Sequence, residues 1–199
     1  MECAQMLSVR KQSQRRRGQA ARAALSAQQR EDSSAALCQR LLTLPVFVRA
    51  QRVMLYAAHG AEVNLEALTR LAPEKQYCYP VCLPERQMAA ACPVNEESWE
   101  TGAYGIRAPV LARSQVLEPE SLDLVLVPCT AFDDHCRRVG MGGGYYDRFL
   151  PRCKAAVSVG VAFSCQRVER AEVDQFDWPL DLFVTEQEIF VRKKEKIDE

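Results

Sequence analysis

Apolar positions along the chain follow two rhythms. Between residues 8 and 43 polar and basic residues dominate, and Leu37, Leu41 and Leu42 recur at helical spacing, so this stretch predicts helix. Ser26 is placed there as the N-cap of a second helical segment, and Pro45 is expected to close the region. The rhythm then changes to short apolar runs. Residues 52–58 predict a buried strand, broken at His59-Gly60, and Asn64 is placed to cap a helix over 65–71. Residues 76–82 predict a second strand closed by Pro84. Residues 85–108, rich in Pro, Gly and Glu, read as a hairpin or irregular excursion, within which 88–92 fit strand or helix. Residues 122–128 form the clearest strand. They are apolar throughout after Asp123, as expected of a central parallel strand covered on both faces. A glycine-rich turn, a short helix over 145–150 and a further buried strand over 155–162 follow. Residues 191–199 read as a frayed tail.

Strands alternating with helices predict an α/β fold: a three-layer, Rossmann-like domain with a largely parallel central sheet flanked by helices. The 199 residues fit one such domain, and neither an internal repeat nor a linker divides them. Hydrophobic residues at 48% and charged residues at 26% are ordinary for a soluble globular protein. No apolar run approaches the ~18 residues of a membrane span, and the start lacks a signal-peptide pattern. A cytoplasmic protein with no membrane partner is expected, acting as a monomer.

A formal net charge of zero points to no nucleic-acid partner. Locally, Arg10, Lys11, Arg15, Arg16, Arg17 and Arg22 stand together without an acid. An organelle transit peptide, a nucleic-acid-binding arm and the basic first helix of a globular domain all fit that run. Its continuation into a helical pattern favours the third. The nine cysteines are odd in number and show no repeated C-x-x-C, so reduced thiols are expected. Cys78 and Cys82 read as strand packing, because a zinc site needs further ligands at suitable spacing. His59 and His135 are the only histidines. Neither lies in a metal pattern, which argues against a histidine-centred triad.

The chemistry concentrates in Arg138-Val-Gly-Met-Gly-Gly-Gly-Tyr-Tyr-Asp147. Glycine is the residue that tolerates positive φ and close approach of a ligand to the backbone. Free N–H groups ahead of a helix make an anion site. Arg138 can add a charge-assisted bond to phosphate, and the Asp147 carboxylate can hold Mg²⁺ bridging phosphates. The alternative is a tight strand-to-helix turn with no ligand. A Walker A loop is excluded because no Lys-Ser or Lys-Thr follows the glycines. The spacing also departs from G-x-G-x-x-G, and it lies late in the chain for a dinucleotide fingerprint.

This segment resembles the signature of the 5-formyltetrahydrofolate cyclo-ligase (methenyltetrahydrofolate synthetase) family. Asp123-Leu-Val-Leu-Val-Pro-Cys-Thr-Ala-Phe-Asp133 is similar to that family's strand and turn. So are, more weakly, the basic first helix, Gly60-Ala-Glu-Val-Asn64, residues 102–109 and Asp177-Trp-Pro-Leu180. The resemblance implies ATP- and Mg²⁺-dependent conversion of 5-formyltetrahydrofolate to 5,10-methenyltetrahydrofolate. In that reaction the formyl oxygen is phosphorylated, N-10 attacks and phosphate leaves. The resemblance also implies site roles. Lys11, Arg15 and the loop Arg138, Val139, Gly140, Met141, Gly142, Gly143, Gly144, Tyr145 and Tyr146 would bind ATP. Ala57, Glu62 and Met141 to Tyr145 would border the folate. Asp147 and Asp177 would hold the metal, and Arg138, Tyr145 and Asp147 would act in catalysis. Of the two tyrosines, one is expected buried and the other facing the site. Two departures stand out: some members carry lysine where this chain has Gly143, and Arg107 replaces an acid common in many. Two other readings remain open: a non-catalytic relative that binds nucleotide or RNA, and a small-molecule kinase using the same loop.

Overall fold

A computed structural model describes residues 2–102 and 105–193, without the side chains of residues 2–4. Most of the expected frayed tail, residues 194–199, lies outside the described residues. Its first residue does not fray: Val191 ends a strand.

The helical region divides where the sequence predicts. Helix α1 spans Glu2–Ala24 and α2 spans Ala27–Leu42. Ser26 caps α2, its hydroxyl accepting from the Gln29 backbone N–H while the Gln29 side chain accepts from the Ser26 N–H. This reciprocal capping box satisfies two backbone donors that a helix start leaves unpaired. Pro45 does not close the region. It starts a further helix, α3 (Pro45–Arg49), because a first-turn residue needs no N–H donor. Strand β1 (Arg52–Met54) is shorter than predicted. Leu55 still donates its N–H to the Cys78 carbonyl, after which the chain leaves the sheet. Helix α4 covers only Ala67–Leu71, and the Asn64 side chain accepts from the Glu66 N–H just ahead of it.

Strand β2 (Gln76–Cys82) matches its prediction. Within the expected irregular excursion, β3 (Met88–Pro93) is a full member of the main sheet, and β4 (Trp99–Thr101) pairs with β5 (Arg107–Pro109) in a separate hairpin. Arg107 lies 4.4 Å over the Trp99 ring and pairs with Glu96, so here it packs the hairpin. Strand β6 (Ser114–Leu117) was not predicted. Next come β7 (Leu124–Pro128), a small hairpin of β8 (Ala131–Phe132) and β9 (Arg138–Val139), helix α5 (Tyr145–Phe149), β10 (Val157–Val161), β11 (Leu182–Val184) and β12 (Ile189–Val191).

The main sheet has eight strands in the order β12-β11-β10-β7-β1-β2-β3-β6. The five from β11 to β2 are parallel, and β12, β3 and β6 add antiparallel edges. Side chains alternate between two cores, as a strand's two-residue period requires. Leu124, Leu126, Val53, Val159 and Val184 face Leu37, Leu41, Phe47 and Leu68 of α2, α3 and α4. Val125, Val127, Met54 and Phe183 face Phe132, Phe149 and Leu150 on the other side. The predicted mostly parallel sheet between helical layers is therefore present, with antiparallel edges added. Of the eight described cysteines, all are free and six are buried. No described helix is long and apolar enough to cross a membrane.

After β2 and its neighbours the chain returns to the other side of β1 as β7, so the strand order reverses between β1 and β7. In open α/β sheets ligands bind outside the carboxyl ends of the strands at such a reversal. Helix α1 lies across that edge, contacting β8, β9 and the turn after β10. The approach is close enough that a Cβ on Gly18 would stand 1.8 Å from the Thr130 carbonyl oxygen.

Two glycine substitutions separate the sheet from this clamp. A Cβ on Gly160 would meet the Phe183 ring at 2.3 Å, inside the core. Both Gly18→Ala and Gly160→Ala are expected to destabilise the fold by about 1–3 kcal/mol, the usual range for overpacking, read as a lower urea midpoint. Only Gly18→Ala should also loosen α1, seen as faster amide exchange along that helix.

Candidate active site

The site assembles from four stretches distant in sequence: α1, the loop after β1, the segment from β7 to α5, and residues 171–178. Residues Lys11, Arg15, Gly18 and Arg22 recur at four- and three-residue steps, so they share one face of α1. That face is turned inward: Lys11, Gly18 and Arg22 are buried and Arg15 half-buried, while Arg10, Arg16 and Arg17 are exposed. The basic run of the sequence thus splits into an inner and an outer set. Arg15 donates from Nε to the Gly140 carbonyl at 2.8 Å, and its guanidinium covers Gly142. Gln19 reaches the Met141 sulfur at 3.3 Å. The glycine loop is therefore held against α1 along its length.

The loop is anchored from below. Thr130 donates both its N–H and its hydroxyl to the Val139 carbonyl, at 2.8 and 2.7 Å. The buried Asp133 carboxylate accepts from the N–H groups of His135, Arg137 and Ala171. These bonds account for the Ala-Phe-Asp turn seen in the sequence, which includes Cys136 at φ 61°. Gly142 and Gly144 take φ values of 101° and 67°, a region that favours glycine. Gly143 is needed for another reason, since a Cβ there would stand 2.8 Å from the Tyr145 ring. The helix that follows is a single turn. The macrodipole expected at the loop is therefore small, and anion binding here rests on loop N–H groups and side-chain cations.

Arg138 does not project freely from the loop. It is 5% exposed and donates from Nη2 to Asp147 Oδ1 at 2.6 Å. The same oxygen accepts from the Trp178 N–H at 3.1 Å, which brings Asp147 beside the segment holding Asp177. Asp177 in turn pairs with Lys11, and Lys11 donates to Asp174 at 2.7 Å. Burial lowers the Lys11 pKa, but bonds to both carboxylates outweigh it and hold the amine above its ordinary value. Asp147 and Asp177 come to one side of the site, each already facing a cation. Among the described residues no group of three or more His, Cys, Asp or Glu encloses a metal.

On the other side of the loop lies a second, mostly buried polar group. Glu62 accepts from the His59 N–H at 3.0 Å and from Arg22 Nη1 at 3.4 Å. Tyr56, at the end of β1, donates its hydroxyl to the Val63 carbonyl at 2.9 Å and so fixes the loop that carries Glu62. Ala57 follows Tyr56 at the same strand end. Burial, then the nearby Glu62 carboxylate, holds the phenols of both Tyr56 and Tyr146 well above their ordinary value. Burial pushes the Cys129 thiol, at the end of β7, up to about 12. The expectation of one buried tyrosine and one facing the site is too simple. Both rings are half-buried and pack on the same core.

Gly18, Arg22, Tyr56 and Asp174 went unassigned in the sequence. Gly18 and Arg22 were legible in principle, because they continue the three- and four-residue spacing of Lys11 and Arg15. Asp174 carried only a local signal: it accepts from the Phe176 N–H and so shapes the turn into Asp177.

Comparison with known proteins shows the family. The profile of the 5-formyltetrahydrofolate cyclo-ligase family matches residues 7–186. The chain is 31% identical over 165 residues to the 5-formyltetrahydrofolate cyclo-ligase of Haemophilus influenzae, covering 80% of this chain and 88% of that one. It is 29% identical over 177 residues to the Escherichia coli K12 enzyme of the same name, covering 85% and 96%. The solution structure of Aquifex aeolicus 5,10-methenyltetrahydrofolate synthetase superposes with a TM-score of 0.82 at 33% identity, covering 95% of this chain and 96% of that one. The chain belongs to the 5-formyltetrahydrofolate cyclo-ligase family.

Proposed function

We propose that this chain closes 5-formyltetrahydrofolate to 5,10-methenyltetrahydrofolate at the expense of ATP. The observation that carries the reading is the placement of one glycine loop between two different surfaces. On one side Arg15 holds the loop at Gly140 from α1, and Lys11, a turn earlier on the same face, meets Asp174 and Asp177, a surface suited to phosphates. Glu62, Tyr56 and Tyr146 lie on the other, a surface suited to a neutral ring with N–H groups. A loop so placed can bring a terminal phosphate against a folate formyl group.

The chemistry needs little more than that alignment. An amide oxygen is a poor leaving group and phosphate a good one. The formyl oxygen attacks the γ-phosphorus and ADP departs. N-10 then attacks the activated carbon and loses its proton, and the carbon–oxygen bond breaks to release phosphate. The protein's part is to hold the partners in line and to offset phosphate charge. Arg15 and Lys11 are the cations on the phosphate side. Arg138 acts from behind the loop, through its bond to Asp147. Glu62 accepts from the pterin N–H groups, and Tyr145, whose ring lies against Gly143, borders both substrates.

Mg²⁺ fits the donors present. Hydrogen bonds among the described residues engage Oδ1 of Asp147 and Oδ2 of Asp177, which leaves each carboxylate a second oxygen. Magnesium is commonly held by one or two carboxylates together with substrate phosphates. When bound, it would neutralise charge on the phosphate oxygens. The free thiols fit the reducing cytoplasm.

Incubation with 5-formyltetrahydrofolate, ATP and Mg²⁺ should give an ATP-dependent rise in methenyl absorbance, with ADP and phosphate in equal amounts. Folded protein without that rise would leave only a non-catalytic relative, and a stable phosphorylated product would indicate a kinase. Arg15→Ala should raise the apparent KM for ATP about tenfold, the value of one charge-assisted bond, with a smaller change for the folate. The opposite split would remove Arg15 from the phosphate side. Asp147→Asn keeps a partner for Arg138 and should therefore stay folded. Its kcat should drop by about 100-fold, within the range for loss of one charge-stabilising group, and near-normal kcat would remove the metal role of Asp147.

A further inference from the structure

Two thiols of the main sheet face each other across neighbouring strands. Strands β2 and β3 pair antiparallel, with Tyr79 opposite Ala91 and Cys82 opposite Met88. One residue further along that register, Cys78 stands opposite Cys92. Opposite residues point to the same face of a sheet, and both thiols lie in the core that holds Phe149 and Leu150. At the other end of the hairpin the Leu83 N–H donates to the Gln87 carbonyl at 2.9 Å. Hydrogen-bonded pairs alternate from there through Val81 to Tyr79, so Cys78 and Cys92 form a non-hydrogen-bonded pair. Pro80, which has no N–H to give, falls in the same unbonded series. The Cα atoms of such a pair stand ~4.5 Å apart, within the ~4.4–6.8 Å that a disulfide spans. The two thiols are close enough to hydrogen-bond.

The other buried thiols are placed differently. Cys38, Cys136 and Cys153 donate to the backbone carbonyls of Asn64, Phe190 and Phe149. Within the pair the two sulfurs are not equivalent. Cys78 is 0% exposed and reaches the Val53 carbonyl at 3.8 Å, whereas Cys92 is 6% exposed. Cys92 also lies at a polar rim, beside Gln115 of β6, which accepts from the Gln76 side chain at 2.9 Å. The hydrogen bond from Cys78 outweighs burial and, with help from Gln76, holds the Cys92 thiol below its ordinary value. The same bond, together with burial, keeps Cys78 protonated. Cys92 is therefore the nucleophile of the pair. The closed end of the hairpin strains against the register. Its turn sets Glu85 and Arg86 at φ 57° and 58°, a region that favours glycine. A link at the open end would hold the pairing that this turn opposes.

We propose that Cys78 and Cys92 are a modification site for peroxide, closing into a cross-strand disulfide that acts as a reversible staple of the β2–β3 hairpin. The Cys92 thiolate attacks one peroxide oxygen, the oxygen–oxygen bond breaks, and the departing hydroxide takes up a proton to leave as water. The Cys78 sulfur then attacks the Cys92 sulfenic acid. The sulfur–oxygen bond breaks, and the hydroxyl leaves with the Cys78 proton as a second water. Two thiols lose two electrons and the peroxide gains them, so the products are one disulfide and two waters. Small thiols reopen the link by exchange. The free dithiol is the resting state, and the link forms when peroxide is present. The Cys78 carbonyl accepts from the Leu55 N–H, just before the chain turns into the Tyr56 loop. The staple therefore braces the support of the site without adding a group to it.

The test uses the intact, folded protein. Reduced protein is treated with stoichiometric hydrogen peroxide, its remaining thiols are alkylated, and the linked peptides are mapped by mass spectrometry with fragmentation. The expected product joins Cys78 to Cys92. Its urea midpoint should rise, with the unfolding equilibrium constant about 100-fold smaller, the gain for closing a loop of this length. Dithiothreitol should reverse both changes. Cys92→Ala should abolish the peroxide response, and Cys153→Ala, which removes the other thiol near Cys78, should keep it. A link from Cys78 to Cys153, Cys92 carried to sulfinic acid without a link, or an unreacted pair while the exposed Cys82 and Cys165 oxidise would each overturn the proposal. So would a linked protein whose midpoint falls. Should Cys92→Ala fail to fold, the wild-type map and midpoint decide alone, and the absence of the Cys78–Cys92 link overturns the proposal.

Discussion

The contact between Gly18 and the Thr130 carbonyl oxygen fixes the rest of the site. It lets a whole helix lie flat on the carboxyl edge of the parallel strands, where any side chain would hold it off. Once α1 is seated there, its inner face must deliver Lys11, Arg15 and Arg22 at positions set by the helical rise. At ~1.5 Å per residue, Lys11 and Arg22 stand roughly 16 Å apart along the axis. One end meets Asp174 and Asp177, the middle meets Gly140, and the other end meets Glu62. The two surfaces flanking the glycine loop therefore share one rigid support.

Charge in this site is balanced internally. Lys11 is paired with Asp174 and Asp177, Arg138 with Asp147, and Arg22 with Glu62. Leaving any of these buried charges alone would be strongly unfavourable. The pairs also set what a ligand can do. A triphosphate approaching Lys11 competes with two carboxylates, and a cation approaching Asp177 competes with Lys11. Ligand and metal arriving together can exchange partners with the pair, so neither step strands a charge. Glu62, Asp147 and Asp177 each also accept a backbone N–H, from His59, Trp178 and Asp174, so all three carboxylates are held in place from the main chain.

Much of this was legible in the sequence, and the exceptions have physical causes. The parallel strands were readable because both their faces are buried, which leaves continuous apolar runs such as residues 124–127. The Ser26 cap was readable because its capping partner Gln29 lies three residues on. Strands β11 and β12 have three residues each, too short for a period to show. Strand β3 sat in an ambiguous run of Ala residues, and only pairing with β2 decides its state. Pro45 misled because the same ring that ends one helix suits the start of another. In the site, the glycine loop announced itself by composition. The face of α1 did not, because six basic residues in one stretch hide which three point inward until the sheet edge is present.

The position of Gly143 shows how loop and pocket constrain each other. Relatives that carry lysine there would have a flexible cation within the loop itself. Here a Cβ at that position would push against the Tyr145 ring, so the ring and a side chain exclude each other in this arrangement. With glycine, the Tyr145 ring lies against the loop, and the side-chain cations that touch the loop are Arg15, Arg138 and Arg148. The seating of α1 at Gly18 sets where Arg15 meets the loop, which ties the loop's arrangement back to the absence of a side chain there.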